Sequence, residues 1–407
     1  MKHVRLKLLS LVVAFLALLP ARGSSQSSSS SQSVFPVPPG LESSVDFWKK
    51  IFSEYGFAQL VFFDPQDLTK VYEVVEVGED SRSNSYINRE RVRIAAAHGV
   101  DIERVRAQRG VKERTAAGIK QSGRYITQIQ QIFRERGLPT ELSYLPIVES
   151  SYDIYARSSA GAVGIWQFMP RTGRQYMRVS RAIDERKDPL DSTRAAATYL
   201  QQAYDTLGSW PLAITSYNFG IGGIARATGD AGSNDLVDLI QRYSHKNWGF
   251  APKQFYAEFL AAIEIGTNYR QYFPGLELDA AAPMQEIEIT AKTSVTSLTK
   301  AHGMSRDELL GWNPALSRSL TVVPAGYRLK LPSDRTIEPP VAIAATKDRT
   351  GQSSSQPQVV HHHVKRGETL IQIARRYGAS VQGILQANGL RRANMLRAGT
   401  TLVIPQI

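Results

Sequence analysis

The sequence predicts a mainly α-helical protein of several domains, on three observations. Its 407 residues are enough for two or three separate hydrophobic cores. Apolar residues recur every three to four positions between 46 and 137, beginning with Phe47, Ile51 and Tyr55. Between 138 and 275 strand-like alternation is weak, and glycines break the chain into short segments. With 42% hydrophobic and 21% charged residues, the composition is that of a globular protein, neither disordered nor membrane-embedded.

Residues 1–23 have the features of a signal peptide. Three basic residues precede an apolar run at 8–19, and Pro20-Ala21-Arg22-Gly23 is a plausible signal peptidase site. The run is shorter than the ~20 residues of a spanning helix, so we favour removal of the segment, with no stable membrane insertion afterwards, over its retention as a membrane anchor. Since the segment carries four basic residues and no acidic one, its removal lowers the formal net charge from +12 to +8. We therefore expect an exported, periplasmic protein.

The chain contains no cysteine. This excludes disulfides, thiolate metal sites, a cysteine nucleophile and a lipoprotein anchor attached to cysteine. The basic charge favours a polyanionic partner. Nucleic acid is one candidate, but we find no nucleic-acid motif, and the cations at 82–114 have the spacing of a solvated helix face. We expect no nucleic-acid partner.

Three segments lead to the central domain. Residues 24–40 are rich in Ser, Gln and Pro and predict a disordered leader. Residues 41–137 predict a helical lead-in region. Gly137-Leu138-Pro139 then ends one helix and begins the next, because Gly suits a helix end and Pro a first turn. We place a domain of short helices and many loops at 138–275.

Glu149 closes the helix that begins after Pro139. Leu145, Ile147 and Val148 would desolvate its carboxyl group and raise its pKa, so that it still holds a proton near neutral pH. A carboxyl group of this kind can act as a general acid. Taken alone, a glutamate at a helix end is more often a solvated residue.

Four blocks in fixed order add a resemblance. They are Glu149-Ser150, then Ser158, then Gly164-Ile165-Trp166-Gln167-Phe168, then Ser216-Tyr217-Asn218-Phe219-Gly220. In this order they resemble the goose-lysozyme-like (SLT) lytic transglycosylases of the membrane-bound murein transglycosylase D type. The stretches at 184–189 and 195–200 are similar to the same group.

The resemblance implies a lysozyme-like fold and cleavage of the MurNAc–GlcNAc β-1,4 bond of peptidoglycan without water. Glu149 would be the single general acid and base, giving 1,6-anhydro-MurNAc ends with help from the substrate's N-acetyl group. It implies no second carboxylate, no cofactor and no metal. By the same resemblance, the sugar-binding residues would be Ser158, Gln167, Tyr217, Asn218 and Tyr256. The rings of Tyr152, Trp166 and Tyr217 would offer flat faces to sugars.

Each of these residues also has an ordinary structural interpretation. Trp166 is more often a core residue and Asn218 more often a helix cap. Neither Ser150 nor Ser158 lies in a G-x-S-x-G turn, so a serine hydrolase is not favoured. The run at 361–363 is three histidines, which we interpret as the start of a strand and not as a metal site.

The C-terminal segment carries a second resemblance. The motifs are Val364-Lys365-Arg366-Gly367-Glu368-Thr369-Leu370, then Tyr377-Gly378, Asn388 and Leu402-Val403-Ile404-Pro405. They resemble a LysM domain, at 361–407, which implies a small α+β fold of order β-α-α-β that binds N-acetylglucosamine chains. The groove residues would be Gly367, Thr369, Leu370 and Leu396, with Leu370 and Leu396 as core residues in the alternative interpretation.

An internal repeat predicts a further module. A shift of 75 residues aligns Ile373 with Leu298 and Asn388 with Asn313, and a shift of 73 aligns Pro405 with Pro332. Residues 285–332 therefore resemble a degenerate LysM copy. Residues 333–360, rich in Ser, Pro and Gly, predict a flexible linker between the copies.

The sequence leaves three hypotheses for function. The first is a lytic transglycosylase with peptidoglycan glycan strands as its partner. The second is a hydrolytic muramidase of the same fold, in which water captures the sugar. The third is a peptidoglycan-binding protein without activity, which is disfavoured because the catalytic blocks are intact while one LysM copy is eroded.

Overall fold

The computed structural model describes residues 34–78, 83–334, 360–365, 368–377, 379, 381–390 and 398–404. The predicted signal peptide, most of the leader and most of the linker lie outside the described residues. The chain divides into two compact units between residues 343 and 344. The prediction of a mainly α-helical protein is confirmed.

The first part of the larger unit combines helices with a sheet. Its elements are α1 (Glu42–Ser53), β1 (Gln59–Asp64), β2 (Asp67–Glu76), α2 (Asn84–His98), β3 (Arg106–Arg109), α3 (Lys112–Ser122) and α4 (Ile126–Glu135). The strands form an antiparallel sheet in the order β2-β1-β3. The expectation that 41–137 is helical is therefore wrong for these three strands.

The central strand β1 is buried on both faces, which explains why alternation did not reveal it. Val61 and Phe63 pack in the main helical core, whereas Leu60 and Phe62 pack with Ile94 of α2 in a second, smaller core. A strand covered on both sides reads as a continuous apolar run, and a short apolar run does not by itself distinguish a strand from a helix.

The central part of the larger unit is helical. A 3-10 turn at Thr140–Tyr144 precedes α5 (Leu145–Ser150), α6 (Pro170–Tyr176), α7 (Pro189–Leu207), α8 (Trp210–Phe219), α9 (Ile221–Ala231), α10 (Leu236–Arg242), α11 (Phe250–Thr267) and α12 (Tyr269–Tyr272). Helix α7 begins at Asp188, whose carboxylate accepts hydrogen bonds from the amides of Leu190 and Asp191. Helix α11 packs against α1, α5 and α8, so it runs through the centre of this core. Among the described residues, no helix is both long and apolar enough to cross a membrane.

The larger unit ends in a small α+β module. Its elements are β4 (Met284–Glu288), β5 (Thr293–Ser294), α13 (Val295–Ala301), α14 (Arg306–Trp312), β6 (Val322–Val323) and β7 (Arg328–Pro332). Strands β4 and β7 pair antiparallel. Buried Asn313 fixes the end of α14 to β7, since its amide donates to the carbonyls of Leu309 (2.8 Å) and Lys330 (2.9 Å).

The C-terminal unit repeats this arrangement. Strand β8 (Val360–His363) pairs antiparallel with β9 (Thr401–Ile404), and α15 (Leu370–Tyr377) and α16 (Val381–Ala387) lie between them in sequence. Asn388 donates to the carbonyls of Ile384 and Val403, both at 2.7 Å. These are the same two bonds that Asn313 forms, with the partner residues shifted by 75 and 73 positions, as the proposed repeat predicts. The three histidines lie in β8, as predicted, where buried His362 bonds to Glu368 and Tyr377.

The first α+β module is joined tightly to the helical core. Ile183, from the loop before α7, is buried among the apolar residues of the module. The amide of Asp184 donates to the carbonyl of Ala315 (2.8 Å), and that of Ser317 to the carbonyl of Ala182 (2.9 Å). Hydrogen bonds between backbones on both sides of Ile183 hold the module in one position against the helices.

A buried ion cluster adds to this junction. Lys330 of β7 is 1% exposed, and its ammonium lies 3.0 Å from a carboxylate oxygen of Asp188 and also contacts Asp191. Arg194 of α7 in turn pairs with Glu286 of β4. Lys330 of the module thus neutralises carboxylates at the start of α7, and Arg194 of α7 neutralises a carboxylate of the module.

Candidate active site

Helix α5 is short because its end is fixed by neighbouring elements. Ser151 and Tyr152 have φ values of 52° and 58°, a left-handed conformation that stops the helix one residue after Ser150. Arg114 of α3 donates to the carbonyl of Ser150 at 3.1 Å. A Cβ added at Gly118 of α3 would lie 2.2 Å from the carbonyl oxygen of Ser151, so only glycine permits this approach. Glu149 therefore sits on a rigid helix end.

The loop that follows α5 is tied back to it. Ser150 is buried, and its hydroxyl donates to the carbonyl of Ile165 at 2.9 Å. The hydroxyl of buried Tyr152 donates to the carbonyl of Ser143. Trp166 is fully buried, and its indole N–H donates to the hydroxyl of Thr193 on α7 at 2.8 Å. The expectation that the rings of Tyr152 and Trp166 face sugars is wrong, since both are core residues.

Glu149 keeps part of its side chain at the surface while protein surrounds its carboxyl group. Among the described residues no cation or hydrogen-bond donor is paired with it. Burial and, to a smaller extent, the nearby carboxyl group of Glu258 together raise its pKa to about 8. The carboxyl group therefore holds its proton at neutral pH and can reach a ligand from the surface.

Glu258 on α11 is a second carboxyl group of this site, and it was not predicted from the sequence. Burial raises its pKa to about 8, and Arg106 of β3 partly opposes this effect. The guanidinium of Arg106 lies 4.2 Å from the ring centre of Phe250, at the start of α11. The available signal was a single carboxylate inside the apolar run 255–262, where a charged residue is costly without a role.

Tyr217 is the predicted residue that the structure most clearly brings to Glu149. Burial raises its pKa, and the carboxyl group of Glu149 contributes to the shift. Its hydroxyl donates to the carbonyl of Trp166 at 2.8 Å, and its ring packs edge-on against Tyr199. Tyr217 thereby connects α8 with the loop that follows Glu149. The next residue, Asn218, is exposed and lies at the end of the same helix.

Ser158 and Gln167 lie in the loop between α5 and α6 and hold it together. The hydroxyl of Ser158 accepts a hydrogen bond from the amide of Ala162 at 3.0 Å. The side-chain amide of Gln167 donates to the carbonyls of Gly164 (2.8 Å) and Ala156 (3.3 Å), and its backbone has a φ of 47°. These bonds leave the hydroxyl hydrogen of Ser158 and the side-chain oxygen of Gln167 available to another partner.

Tyr256 is buried on α11, two residues before Glu258. Among the described residues its hydroxyl is one of the few buried side-chain groups without a hydrogen-bond partner. A buried polar group of this kind normally has a partner. Side chains two positions apart on a helix do not face each other, so the predicted role of Tyr256 at the site stays a prediction.

The predicted glycan groove of the C-terminal unit is described only in part. Thr369 is exposed at the start of α15, where its hydroxyl accepts a hydrogen bond from the amide of Gln372. Leu370 is 2% exposed and belongs to the core, as the alternative interpretation held. Gly367 and Leu396 lie outside the described residues.

Comparison with known protein families agrees with this geometry. Residues 127–239 match the family described as the transglycosylase SLT domain. The chain carries an SLT domain. The matched range includes Glu149, Ser158, Gln167, Tyr217 and Asn218. Residues 362–405 match the LysM domain. The two resemblances drawn from the sequence motifs are therefore confirmed, and the SLT range ends before α11 begins.

Two curated proteins are similar to parts of this chain. Membrane-bound lytic murein transglycosylase D of Escherichia coli (strain K12) is 28% identical over 294 residues, which are 69% of this chain and 63% of the relative. A putative tributyltin chloride resistance protein of Alteromonas sp. (strain M-1) is 36% identical over 107 residues, 25% of this chain and 51% of the relative. The chain thus spans less than two thirds of the length of either relative.

Two solved structures were also found to be similar. An inactive mutant of the lytic transglycosylase Slt from Pseudomonas aeruginosa is 21% identical, with a TM-score of 0.30, over 38% of this chain and 25% of that one. The 70 kDa soluble lytic transglycosylase of Escherichia coli is 19% identical, with a TM-score of 0.29, over 37% of this chain and 25% of that one.

Proposed function

We propose that this protein is a peptidoglycan lytic transglycosylase with Glu149 as its general acid and base. The observation that carries the proposal is half-buried Glu149, whose unpaired carboxyl group has a pKa raised to about 8 inside an SLT domain. A carboxyl group with this pKa is protonated at neutral pH and can donate to a leaving oxygen.

The proton can be followed through both halves of the reaction. In the first, Glu149 protonates the glycosidic oxygen between MurNAc and GlcNAc, the bond from that oxygen to the MurNAc C1 breaks, and the N-acetyl oxygen stabilises the positive charge that develops. In the second, the Glu149 carboxylate takes the proton of the C6 hydroxyl while O6 bonds to C1. Glu149 is then protonated again, and the product ends in 1,6-anhydro-MurNAc.

Glu258 bears on the choice between transglycosylase and hydrolase. A hydrolase that inverts its substrate needs a second carboxylate, in its ionised form, to activate water. The pKa of Glu258 is also raised to about 8, and two adjacent carboxyl groups resist being ionised together. At neutral pH Glu258 therefore keeps its proton and supplies no separate base for water, which disfavours an inverting hydrolase.

The remaining residues would bind the sugars. We assign Ser158, Gln167, Tyr217, Asn218 and Tyr256 to the substrate cleft, since amide and hydroxyl groups suit uncharged sugars. The LysM domain would hold the glycan near the cleft and increase affinity without taking part in the chemistry. An exported, periplasmic location follows from this substrate and from the signal-like residues 1–23.

Mass spectrometry of unreduced digestion products tests the proposal. The mature protein is incubated with purified peptidoglycan, and the soluble muropeptides are measured without chemical reduction. We expect products with 1,6-anhydro ends, lighter by one water than hydrolytic products. Products with reducing ends would mean a muramidase, and the absence of products would mean a binding protein. Either result would refute the transglycosylase.

A further inference from the structure

A groove of about 650 Å³ lies between the helical core and the first α+β module. Neither Glu149 nor any residue assigned to sugar binding lines it, although the loop that follows Glu149 does. One wall is formed by residues of 154–163 and 180–187, and the other by residues of 307–318. The walls are joined by the backbone hydrogen bonds around Ile183. The groove is therefore a fixed feature of the larger unit and needs no movement to form.

The groove is cationic. Arg157, Arg181 and Lys187 line it, and among the described residues none of the three side chains forms an ion pair or hydrogen bond. Its two acidic groups are already engaged: Asp184 pairs with Arg186 at 2.8 Å, and Asp307 faces Arg318 at 3.7 Å. Three positive charges thus remain without a partner.

An exposed aromatic ring lies at the same groove. Tyr155 is 76% exposed, more than any other large hydrophobic residue described as exposed. It lies six residues after Glu149, in the loop that also carries Ser158 and Gln167. The loop that follows Glu149 therefore both lines the groove and carries residues assigned to the Glu149 site.

The groove chemistry selects a class of ligand. Uncharged sugar rings are bound by hydroxyl and amide groups and gain little from three free cations. Carboxylates are the natural partners of such cations, and a flat exposed ring suits the apolar part of a peptide. In peptidoglycan, carboxylates are carried by the peptide stems attached to MurNAc.

We propose that this groove binds the carboxylate-bearing peptide stem of a glycan strand held at Glu149. The proposal rests on the proposed function for the identity of its ligand. It makes the first α+β module a wall of the substrate site, in place of an independent glycan-binding module. The groove would give preference to strands that still carry their stems.

Ligand binding to the full-length Glu149→Gln variant tests the proposal, because this variant should not cleave the ligand during the measurement. Dissociation constants are measured by calorimetry at low salt for a MurNAc-GlcNAc disaccharide with a tetrapeptide stem and for the same disaccharide without it. The groove variant carries Arg181→Glu and Lys187→Glu in addition to Glu149→Gln. The control variant carries Arg174→Glu and Lys300→Glu in addition to Glu149→Gln. Arg174 and Lys300 are exposed and lie outside the groove, and the two variants have the same net charge.

The groove variant is expected to bind the stem-bearing ligand roughly tenfold more weakly, with less than about a twofold change for the stem-free ligand. The control is expected to change neither by more than about twofold, and 0.5 M salt should remove most of the difference. Tyr155→Ala, which changes no charge, is expected to weaken only the stem-bearing ligand, by roughly threefold.

Equal weakening of both ligands, no weakening of the stem-bearing ligand, or no binding of either would overturn the proposal. Melting curves of each variant verify that it is folded. Failure of the proposed function is a separate result: a protein that yields no anhydro products can still prefer the stem-bearing ligand.

Discussion

Replacing Glu149 with Gln is expected to lower activity by orders of magnitude and at the same time to stabilise the fold at neutral pH. Glutamine keeps the shape of the protonated carboxyl group but needs no proton. Without its acid, the enzyme should solubilise peptidoglycan about 10²–10⁴-fold more slowly, the usual contribution of a positioned general acid.

The gain in stability follows from the raised pKa. The carboxyl group has an ordinary pKa of 4.5 and a folded pKa of about 8. Below pH 4.5 it is protonated in both states, so wild type and variant should be equally stable. As pH rises toward 8, the unfolded chain releases the proton and the folded chain does not, so wild type alone loses stability. At pH 7, ~2.5 pH units at ~1.4 kcal/mol each set an upper limit of ~3.5 kcal/mol.

Partial exposure of Glu149 reduces this figure, and we expect about 1–2 kcal/mol at pH 7. Urea denaturation of both proteins at pH 4.5 and pH 7 measures it. Glu277→Gln, at an exposed carboxylate, is the matched control and should change stability by less than about 0.5 kcal/mol at either pH. A Glu149→Gln variant that is less stable than wild type at pH 7, or equally changed at both pH values, would refute the reasoning about burial.

Three further changes test other contacts. Glu258→Gln removes the like charge beside Glu149, so the alkaline limb of the pH–activity profile should move to lower pH; an unchanged limb would mean that the two groups do not interact. Gly118→Ala should destabilise the protein by about 1–3 kcal/mol in denaturation experiments and impair turnover, because the new methyl group meets the carbonyl of Ser151. Gly229→Ala in α9 is the control: its new methyl group meets no atom within 4 Å beyond its own stretch of helix, so the change should be neutral or stabilising. Equal effects of the two changes would contradict the steric argument. Lys330→Met leaves Asp188 and Asp191 buried without their common cation and should lower the free energy of unfolding by about 3–5 kcal/mol. Lys300→Met, at an exposed lysine, should change it little. A Lys330→Met variant as stable as wild type would show that the cluster is dispensable.

The parts of the fold that were predictable are those in which local signals agree with the tertiary structure. Gly137 and Pro139 lie between the end of α4 and the 3-10 turn that precedes α5, where a break between helices was predicted. The alignment of Asn313 with Asn388 identified two side chains that form the same pair of hydrogen bonds to the backbone. Such polar positions are recognisable because a buried amide has few substitutes. Apolar positions, by contrast, can exchange identity at little cost.

The parts that escaped prediction depend on contacts between distant segments. Strand β1 carries no alternating pattern because cores lie on both of its faces. Glu258 lies in α11, outside the blocks that carried the resemblance, and only the packing of α11 on α5 brings it to Glu149. The free cations of the groove were likewise invisible, since an unpaired arginine has no sequence signature.

The junction around Ile183 determines where this chain can be shortened. A protein ending near residue 275 would expose Ile183 to water and leave the carboxylates of Asp188 and Asp191 without Lys330. A protein ending at residue 334 keeps the larger unit's described elements intact and removes the predicted linker and the LysM domain. Although it resembles an eroded repeat, the first module therefore belongs to the minimal folding unit, and the C-terminal domain is the part that can be removed or exchanged.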